Sequence, residues 1–230
     1  MIEKAIRELS SGKPVLIHDS LSRENETDIV MPSQFVTADT IRFMRKNGGG
    51  LICVTIREAE AKAFGLDYID RLLDLKDRSL LYSGDVRYDQ MSPFSIWINS
   101  RDTFTGISDN DRAATVRHLA TFISSAKEYN GNAPSEFARK FRTPGHVPLI
   151  IAREGYFSRR RGHTELSTYL LEKAGLIRSA TIVEMLGDDG RSMQPEEARN
   201  FAESHSLTFI EGSEIIDSWS NETRNGNGGL

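Results

Sequence analysis

The chain has 230 residues, 38% of them apolar, and its formal net charge is −4. That apolar fraction is enough for a substantial core, and the negative charge argues against broad nucleic-acid binding, which depends on a positive field. The sequence contains no apolar run near the roughly 18 residues of a membrane-spanning helix. The charged start MIEKAIRELS does not resemble a signal peptide. We therefore expect a cytoplasmic protein that binds neither nucleic acid nor membranes.

Hydrophobic periodicity predicts that helices and strands alternate along the chain. In chain order, the predicted elements are a helix at 2–10, strands at 14–18 and 29–31, a helix at 38–46, strands at 51–56 and 94–98, a helix at 109–126, a strand at 147–152, a helix at 164–174, a strand at 181–185, a helix at 195–204, a strand at 207–210 and a helix at 213–219. No proline- or serine-rich linker divides them. We therefore expect a single α+β domain over residues 1–220, with a mixed β-sheet core surrounded by helices. The polar, glycine-rich residues 221–230 are predicted to form a disordered tail.

Three carboxylates alternate beside an arginine in the sequence RENETD at 23–28. In an extended segment, successive side chains point to opposite faces, so Glu24, Glu26 and Asp28 would share one face. Like charges at this spacing need a cation, a proton or a substrate unless solvent surrounds them. The segment therefore predicts a site for a hard metal or for acid/base chemistry, with a solvated charged loop as the alternative.

A second polar cluster, RRRGHTE at 159–165, lies at the predicted start of a helix. Arginines provide forked charged donors, a helix N-terminus provides free N–H groups, and glycine lets the backbone approach a ligand, so the segment suits a phosphate ester. His163 could complete a metal site with a carboxylate of the first cluster. The alternative is a solvated turn with an ordinary, satisfied histidine.

Four further positions are candidates for chemistry. Glu184 lies in the apolar strand 181–185, where a carboxylate needs a partner or a shifted pKa. His146 follows Pro-Gly and is either exposed and catalytic or simply part of a turn. Thr105 belongs to a segment with hydroxyls and a glycine that equally suits an ordinary capped helix entry. Cys53, the single cysteine, excludes an intrachain disulfide, and its apolar neighbours favour a buried side chain over a reactive thiol.

Together these motifs resemble the 3,4-dihydroxy-2-butanone 4-phosphate synthases of riboflavin biosynthesis. The resemblance runs from about residue 2 to residue 216, and RENETD with RRGHTE in this order carries most of it. The matching segments are 23–28, 49–53, 105–108, 142–147, 160–165 and Glu184. The resemblance implies an α+β lyase that converts ribulose 5-phosphate to 3,4-dihydroxy-2-butanone 4-phosphate and formate. It also implies a homodimer with active sites at the subunit interface, and Mg²⁺ (or Mn²⁺) as cofactor. Some relatives carry a following GTP cyclohydrolase II domain, and the length of this chain predicts the single-function type.

The resemblance also assigns roles to individual residues. It makes Glu24 and His163 the metal ligands. The positions expected to hold the phosphate are Arg160, Gly162 and Thr164, with Arg161 able to share that contact. Arg23, Asp28 and Glu184 are expected to contact the sugar chain. The other positions expected to bind the substrate are Glu24, Thr105 and His163. The positions expected to transfer protons or orient groups are Asp19, Glu26, Asp28, Cys53, His146 and Glu184. Glu184 is the first choice for the acid/base role, and Asp28 or Glu26 the second.

Two other classes fit the same residue types. Another metal-dependent sugar-phosphate enzyme, such as an aldolase or an isomerase, would also use carboxylates, a histidine and arginines. Neither of these enzymes forms formate, so formate release would exclude them. A non-catalytic anion-binding protein could present the arginines on its surface. Metal-dependent turnover of a substrate would exclude this non-catalytic class.

Overall fold

A seven-stranded mixed β-sheet forms the centre of the computed structural model, which describes residues 1–72, 87–89, 92–129 and 131–226. The strands are β1 (Val15–His18), β2 (Thr27–Pro32), β3 (Cys53–Arg57), β4 (Phe94–Ser100), β5 (Phe141–Ala152), β6 (Ala180–Glu184) and β7 (Thr208–Glu211). The helices are α1 (Ile2–Ser10), α2 (Ala38–Asn47), α3 (Glu58–Ala63), α4 (Ile69–Leu72), α5 (Asp109–Ser124), α6 (Ala133–Lys140), α7 (His163–Lys173), α8 (Pro195–Ser204) and α9 (Gly212–Gly226). The predicted α+β fold is confirmed.

The sheet has the order β4-β5-β3-β6-β2-β1-β7. The pairs β1–β2, β2–β6, β3–β6 and β4–β5 are antiparallel, and β1–β7 and β3–β5 are parallel. The pairs β1–β2 and β4–β5 join strands that are consecutive in the chain, whereas β2 and β6 are neighbours although about 150 residues lie between them.

Helices cover both faces of this sheet. On one face, α1, α7 and α9 pack on a core that includes Ile17, Val30 and Ile182. On the other face, α2, α5 and α8 are among the helices that cover Leu16 and Ile29. Because the central strands are buried on both faces, they read as continuous apolar runs, which is why the sequence pattern predicted them.

The strand β5 begins at Phe141, six residues earlier than predicted. Pro144 and Gly145 therefore lie within a strand, and the prediction of a Pro-Gly turn before His146 is wrong. Ile98 of β4 pairs with Val147, and the next residue, Asn99, pairs with Arg142. Residues 143–146 of β5 therefore form a long bulge rather than a turn. The backbone of β4 leaves no space for a side chain at Gly145, since a Cβ there would lie 1.9 Å from the carbonyl carbon of Ile98.

The C-terminal helix is also longer than predicted. Helix α9 continues to Gly226, so residues 221–226 are helical and the expected disordered tail is wrong for this part. The additional residues of α9 are held against α7, because Glu222 forms an ion pair with Lys173 at 2.8 Å and accepts a 3.1 Å hydrogen bond from the Tyr169 hydroxyl. Residues 227–230 of the predicted tail lie outside the described residues. Within the described part of the chain, no helix is long and apolar enough to cross a membrane.

Candidate active site

A pocket lies between the sheet and the N-terminal end of α7. It has a volume of about 120 Å³ and brings together eight of the residues predicted from the sequence, together with apolar side chains and Tyr88. The lining residues are Glu24, Glu26, Asp28, Cys53, Tyr88, Ser92, Pro93, Phe94, Ile150, Arg160, His163, Thr164, Ile182 and Glu184. The two sequence clusters therefore meet in one place.

The acidic segment reaches this pocket through a turn, so it is not the extended segment in which alternation would place its three carboxylates on one face. Residues 21–24 form a turn, Asn25 has a positive φ of 55°, and β2 starts only at Thr27. The buried Asp19 carboxylate shapes this turn, because Oδ2 accepts from the Glu24 N–H at 3.1 Å and Oδ1 from the Glu26 N–H at 3.2 Å. Asp19 thus orients the two glutamates without lining the pocket itself.

Sheet register places two of the carboxylates side by side. Asp28 on β2 and Glu184 on β6 are direct antiparallel partners. Side chains of such partners lie on the same face of the sheet, close enough to interact. Cys53 is the partner of Ile182, two residues before Glu184, so it lies on this face as well. Strand pairing therefore supplies the floor of the pocket.

His163, the first residue of α7, contacts both parts of the acidic cluster. Its Nδ1 lies 3.3 Å from Glu24 Oε2 and 3.7 Å from Asp28 Oδ1. Its Nε2 lies 3.2 Å from the Ile17 carbonyl oxygen, which only accepts hydrogen bonds, so Nε2 carries a hydrogen. The Nδ1 lone pair of the neutral ring therefore points toward the carboxylates. Either a proton or a cation must separate it from them.

The electrostatics of these groups are strongly coupled. Burial by itself would raise the pKa of Glu24, but His163, Arg23 and Arg160 lower it to about 2. Burial would lower the pKa of His163, but Asp28, Glu24 and Asp19 raise it to about 9. Burial raises the pKa of Asp28 well above its ordinary value, and the neighbouring glutamates add to that shift although His163 opposes it.

These groups fit a hard divalent cation. Asp19, Glu24 and His163 each offer a ligand atom, and the three atoms lie within 4.8 Å of one another. The Oδ1 atom of Asp28 is buried and has no hydrogen-bond partner among the described residues, which suits a position next to a cation or a ligand. Carboxylate oxygens with one imidazole nitrogen suit Mg²⁺ or Mn²⁺. The sequence interpretation did not include Asp19 among the ligands.

The buried Arg160 lies beside this cluster and is held by carboxylates. Its guanidinium contacts Glu165 at 2.8 Å and Asp89 at 2.5 Å, and Asp89 also accepts from Arg23 at 3.1 Å. Burial raises the pKa of Glu165, an effect that Arg160 opposes. Neither Asp89 nor Glu165 was predicted to have a role, because nothing in their local sequence shows that their charges balance those of the arginines.

The two adjacent arginines have different environments. The side chain of Arg160 is 4% exposed, whereas Arg161 is exposed and its Nε donates a long hydrogen bond of 3.4 Å to the Phe157 carbonyl. Arg160 lines the pocket and Arg161 does not. Gly162 is required for this arrangement, because a Cβ there would lie 2.2 Å from Arg160 Nη1. Gly162 is also the N-cap of α7. Its carbonyl accepts from the Glu165 and Leu166 N–H groups, which leaves the N–H groups of His163 and Thr164 without a partner within the helix.

Glu184 and Cys53 complete the floor of the pocket. Burial raises the pKa of Glu184 above its ordinary value, with Glu26 adding to the shift, while the Leu51 N–H, which donates to Oε2 at 2.8 Å, opposes it. The raised pKa was predicted from the apolar strand. Burial raises the pKa of the Cys53 thiol well above its usual range, and Glu184 and Asp28 raise it further. Cys53 is therefore a protonated, largely apolar wall residue.

His146 and Thr105 lie elsewhere. Both are exposed, and neither lines the pocket that the described residues form. Asn99 holds them together: its side chain donates to His146 Nδ1 at 3.1 Å and to the Thr105 carbonyl at 3.2 Å. His146 precedes the pocket residue Ile150 by four positions along β5, or about 13 Å at the rise of a strand. Within one chain, these two residues are apart from the other predicted site residues.

Acid/base groups, an imidazole and a buried guanidinium that face one pocket define an enzyme active site. The family model of 3,4-dihydroxy-2-butanone 4-phosphate synthase matches residues 3–218, and the chain belongs to this family, as the motifs predicted.

Relatives and solved structures agree with this assignment. The 3,4-dihydroxy-2-butanone 4-phosphate synthase of Methanosarcina acetivorans is 39% identical over 226 residues, which cover 95% of this chain and 90% of the relative. The enzyme of the same name from Archaeoglobus fulgidus is 39% identical over 222 residues, with 94% and 92% covered. A crystal structure of a 3,4-dihydroxy-2-butanone 4-phosphate synthase in complex with two magnesium ions has a TM-score of 0.75 and 27% identity, and the match covers 97% of each chain.

Proposed function

We propose that the chain converts D-ribulose 5-phosphate to L-3,4-dihydroxy-2-butanone 4-phosphate and formate, as a lyase of riboflavin biosynthesis. The observation that carries the proposal is the meeting of Glu24 and His163 with Arg160 and Glu184 in one pocket. These side chains provide a cation site, a phosphate partner and a carboxylate with a raised pKa, which are the groups that enolisation of a sugar phosphate requires. Family membership supports the same reaction. The cytoplasmic location stays a prediction.

Glu24 and His163 are the proposed ligands of Mg²⁺ or Mn²⁺, with Asp19 close enough to assist. A bound divalent cation would polarise the C2 carbonyl and C3 hydroxyl of the sugar and so make the C3 proton more acidic. The solved relative with two magnesium ions supports magnesium as the cofactor. Glu24 keeps its negative charge at neutral pH because its pKa is about 2, so it is available as a ligand.

The carboxylates on the floor of the pocket are the proposed acid/base groups. Glu184 accepts the C3 proton, the C3–H electron pair forms a C2=C3 double bond, and the carbonyl electron pair moves onto O2, which takes up a proton to give the enediol. Loss of the C1 hydroxyl as water, a skeletal shift and hydrolytic release of C4 as formate follow. One water is released and one is consumed, so all atoms of ribulose 5-phosphate appear in the two products and no redox partner is needed. Asp28 and Glu26 lie close enough to share the later proton transfers.

The phosphate is proposed to bind at Arg160, with Gly162 and Thr164 at the start of α7 providing further contacts. Arg160→Ala should raise KM for ribulose 5-phosphate strongly, since a charged hydrogen bond of roughly 1.5–3 kcal/mol corresponds to about a ten- to hundredfold change. Arg161→Ala is the matched control, because that side chain is exposed and lies outside the pocket. Arg160→Lys keeps a charge beside Glu165 in case the alanine variant does not fold, and steady-state kinetics of all three variants decide. Equal kinetic damage from Arg161→Ala would contradict the choice of Arg160.

A homodimer with active sites at the subunit interface is part of the proposal. His146 and Thr105 lie beside large apolar side chains that are exposed in the single chain: Phe104 is 93% exposed, Ile107 54% and Trp97 42%. Exposed apolar patches of this kind mark interaction surfaces. If this patch meets a second copy beside its pocket, His146 and Thr105 would complete the pocket of the partner.

A mixture of two inactive variants tests this arrangement. Glu24→Gln inactivates the pocket of its own chain, and His146→Ala removes the group that this chain would contribute to the other pocket. Unfolding and refolding the two variants together should restore about a quarter of the wild-type formate release, because half of the dimers are mixed and each has one intact site. If both residues act within the same chain, the mixture stays inactive.

Formate release tests the function itself. The protein should be incubated with ribulose 5-phosphate and Mg²⁺, and formate measured by carbon NMR together with the four-carbon phosphate. We expect both products in equal amounts, and none after EDTA. An isomerase or an aldolase would consume the substrate without formate, and a non-catalytic anion-binding protein would leave it unchanged. Either result would rule out the proposal.

A further inference from the structure

The turn formed by residues 19–26, which we call the 19–26 turn, presents Glu24 and Glu26 to the pocket and is held from two sides. On the inner side, Asp19 accepts hydrogen bonds from the backbone of both glutamates. On the outer side, the side chain of His18 contacts the side chain of Asn25, with 3.2 Å between Nε2 and Oδ1. Neither His18 nor Asn25 belongs to the proposed metal site or to the proposed acid/base groups.

His18 is itself firmly fixed. It is 3% exposed, and its ring lies parallel to that of Phe209 with 6.3 Å between the centroids. Its Nδ1 donates to Glu211 Oε2 at 2.7 Å, since a carboxylate only accepts, and Glu211 is in turn paired with Arg199. His18 and Glu211 are register partners on the parallel strands β1 and β7, so the sheet holds them side by side. His18 is therefore a rigid anchor.

The residue that His18 contacts has a left-handed backbone conformation. Asn25 has a φ of 55°, in the left-handed region that costs most residues energy and that asparagine tolerates better than others. It lies directly between Glu24 and Glu26, so a change of its backbone would redirect both carboxylates. Its amide offers an oxygen and an NH₂ group, and the contact with Nε2 is a hydrogen bond whether the imidazole is protonated or neutral.

We propose that His18 is a positioning residue, which holds Asn25 in its left-handed conformation and thereby keeps Glu24 and Glu26 directed into the pocket. The consequence for catalysis rests on the proposed function. His18 is on the face of β1 opposite to Ile17, which belongs to the core under α7, and it does not line the pocket. Its influence on the reaction is therefore exerted through the 19–26 turn and not through contact with the substrate.

His18→Phe tests this role, because phenylalanine keeps a ring against Phe209 but removes both hydrogen bonds. We expect faster amide hydrogen exchange in residues 19–26, a Mn²⁺ dissociation constant about three- to tenfold higher, as for one lost hydrogen bond, and a lower kcat with a smaller change in KM. His18→Gln, which can still donate to Asn25, should restore part of each change. His205→Phe in the exposed end of α8 is the matched control and should behave as the wild type.

Asn25→Gly decides whether His18 acts through Asn25, because glycine accepts a positive φ but has no amide side chain. In this background, His18→Phe should have no further effect on exchange or on Mn²⁺ binding. The proposal would be overturned if His18→Phe left hydrogen exchange and Mn²⁺ binding unchanged. It would also be overturned if the double variant showed the product of the two single-variant effects, because the two residues would then act independently. Exchange and Mn²⁺ binding are measured without substrate, so a wild-type chain that releases no formate would contradict the proposed function and leave this test intact.

Discussion

Replacing Glu24 by glutamine or His163 by alanine should abolish formate release while the chain keeps its fold. Glutamine has the size of glutamate but no charge, and alanine removes the Nδ1 lone pair that faces the carboxylates. Loss of a direct ligand should weaken Mn²⁺ binding by more than about 100-fold, which is the upper end for changing a residue that merely supports a ligand. Circular dichroism checks the fold, and Mn²⁺ binding and turnover check the effect.

Exposed residues of the same types serve as controls. Glu203→Gln and His205→Ala lie at the end of α8, outside the pocket, and should retain normal activity. Near-normal turnover by Glu24→Gln or His163→Ala in the presence of metal would show that the metal assignment is wrong.

The same site predicts a pH dependence of metal binding. The carboxylates around His163 raise its pKa to about 9, so at lower pH the ring is protonated and Nδ1 cannot donate a lone pair to a metal. Metal and proton therefore compete, and Mn²⁺ affinity should rise as the pH increases toward about 9, by up to tenfold per pH unit. Titration at two pH values between 7 and 9 measures this, and His163→Ala should remove the dependence.

The strands were predictable from short apolar runs or, for β4, from alternating apolar residues, but their neighbours in the sheet were not. Asp28 lies beside Glu184 because β2 pairs with β6, in a register that places Asp28 directly opposite Glu184. Register depends on contacts between distant segments, and local periodicity does not contain that information. The sequence thus indicated both carboxylates as candidates without showing that they are neighbours.

For the acidic segment, the predicted grouping of the carboxylates is correct, but the conformation assumed for it is not. Alternation predicted that Glu24, Glu26 and Asp28 share a face, and they do line one pocket. The structure achieves this with the left-handed Asn25 and the hydrogen bonds of Asp19, because the segment is a turn. Side-chain bonds to the backbone compete with extended structure in such segments, and periodicity does not detect them.

The sequence of the arginine cluster does not show which residues neutralise its charges. The segment RRRGHTE predicted free positive charge for a phosphate, and the buried Arg160 is instead already paired with Asp89 and Glu165. Burying an unpaired guanidinium would be costly, so the fold supplies carboxylates. Asp89 lies 71 positions before Arg160, and its role is visible only in the folded chain.

Replacing Glu184 by glutamine should lower kcat by about 10² or more while leaving substrate binding nearly intact, the size expected for loss of a positioned acid/base group. Glutamine keeps the length of the side chain and can still accept the hydrogen bond of the Leu51 N–H, but it cannot exchange a proton. Because burial raises the pKa of Glu184, its base form is lost as the pH falls through a value above the usual range for glutamate. At saturating Mg²⁺, where competition between protons and metal at His163 no longer limits the rate, the wild-type pH–rate profile should therefore fall on its acidic side, and the glutamine variant should lack that limb. Normal turnover by Glu184→Gln would show that Glu184 is a structural residue and that Glu26 or Asp28 transfers the proton. A comparable loss of kcat in Asp28→Asn would then identify Asp28 as that group.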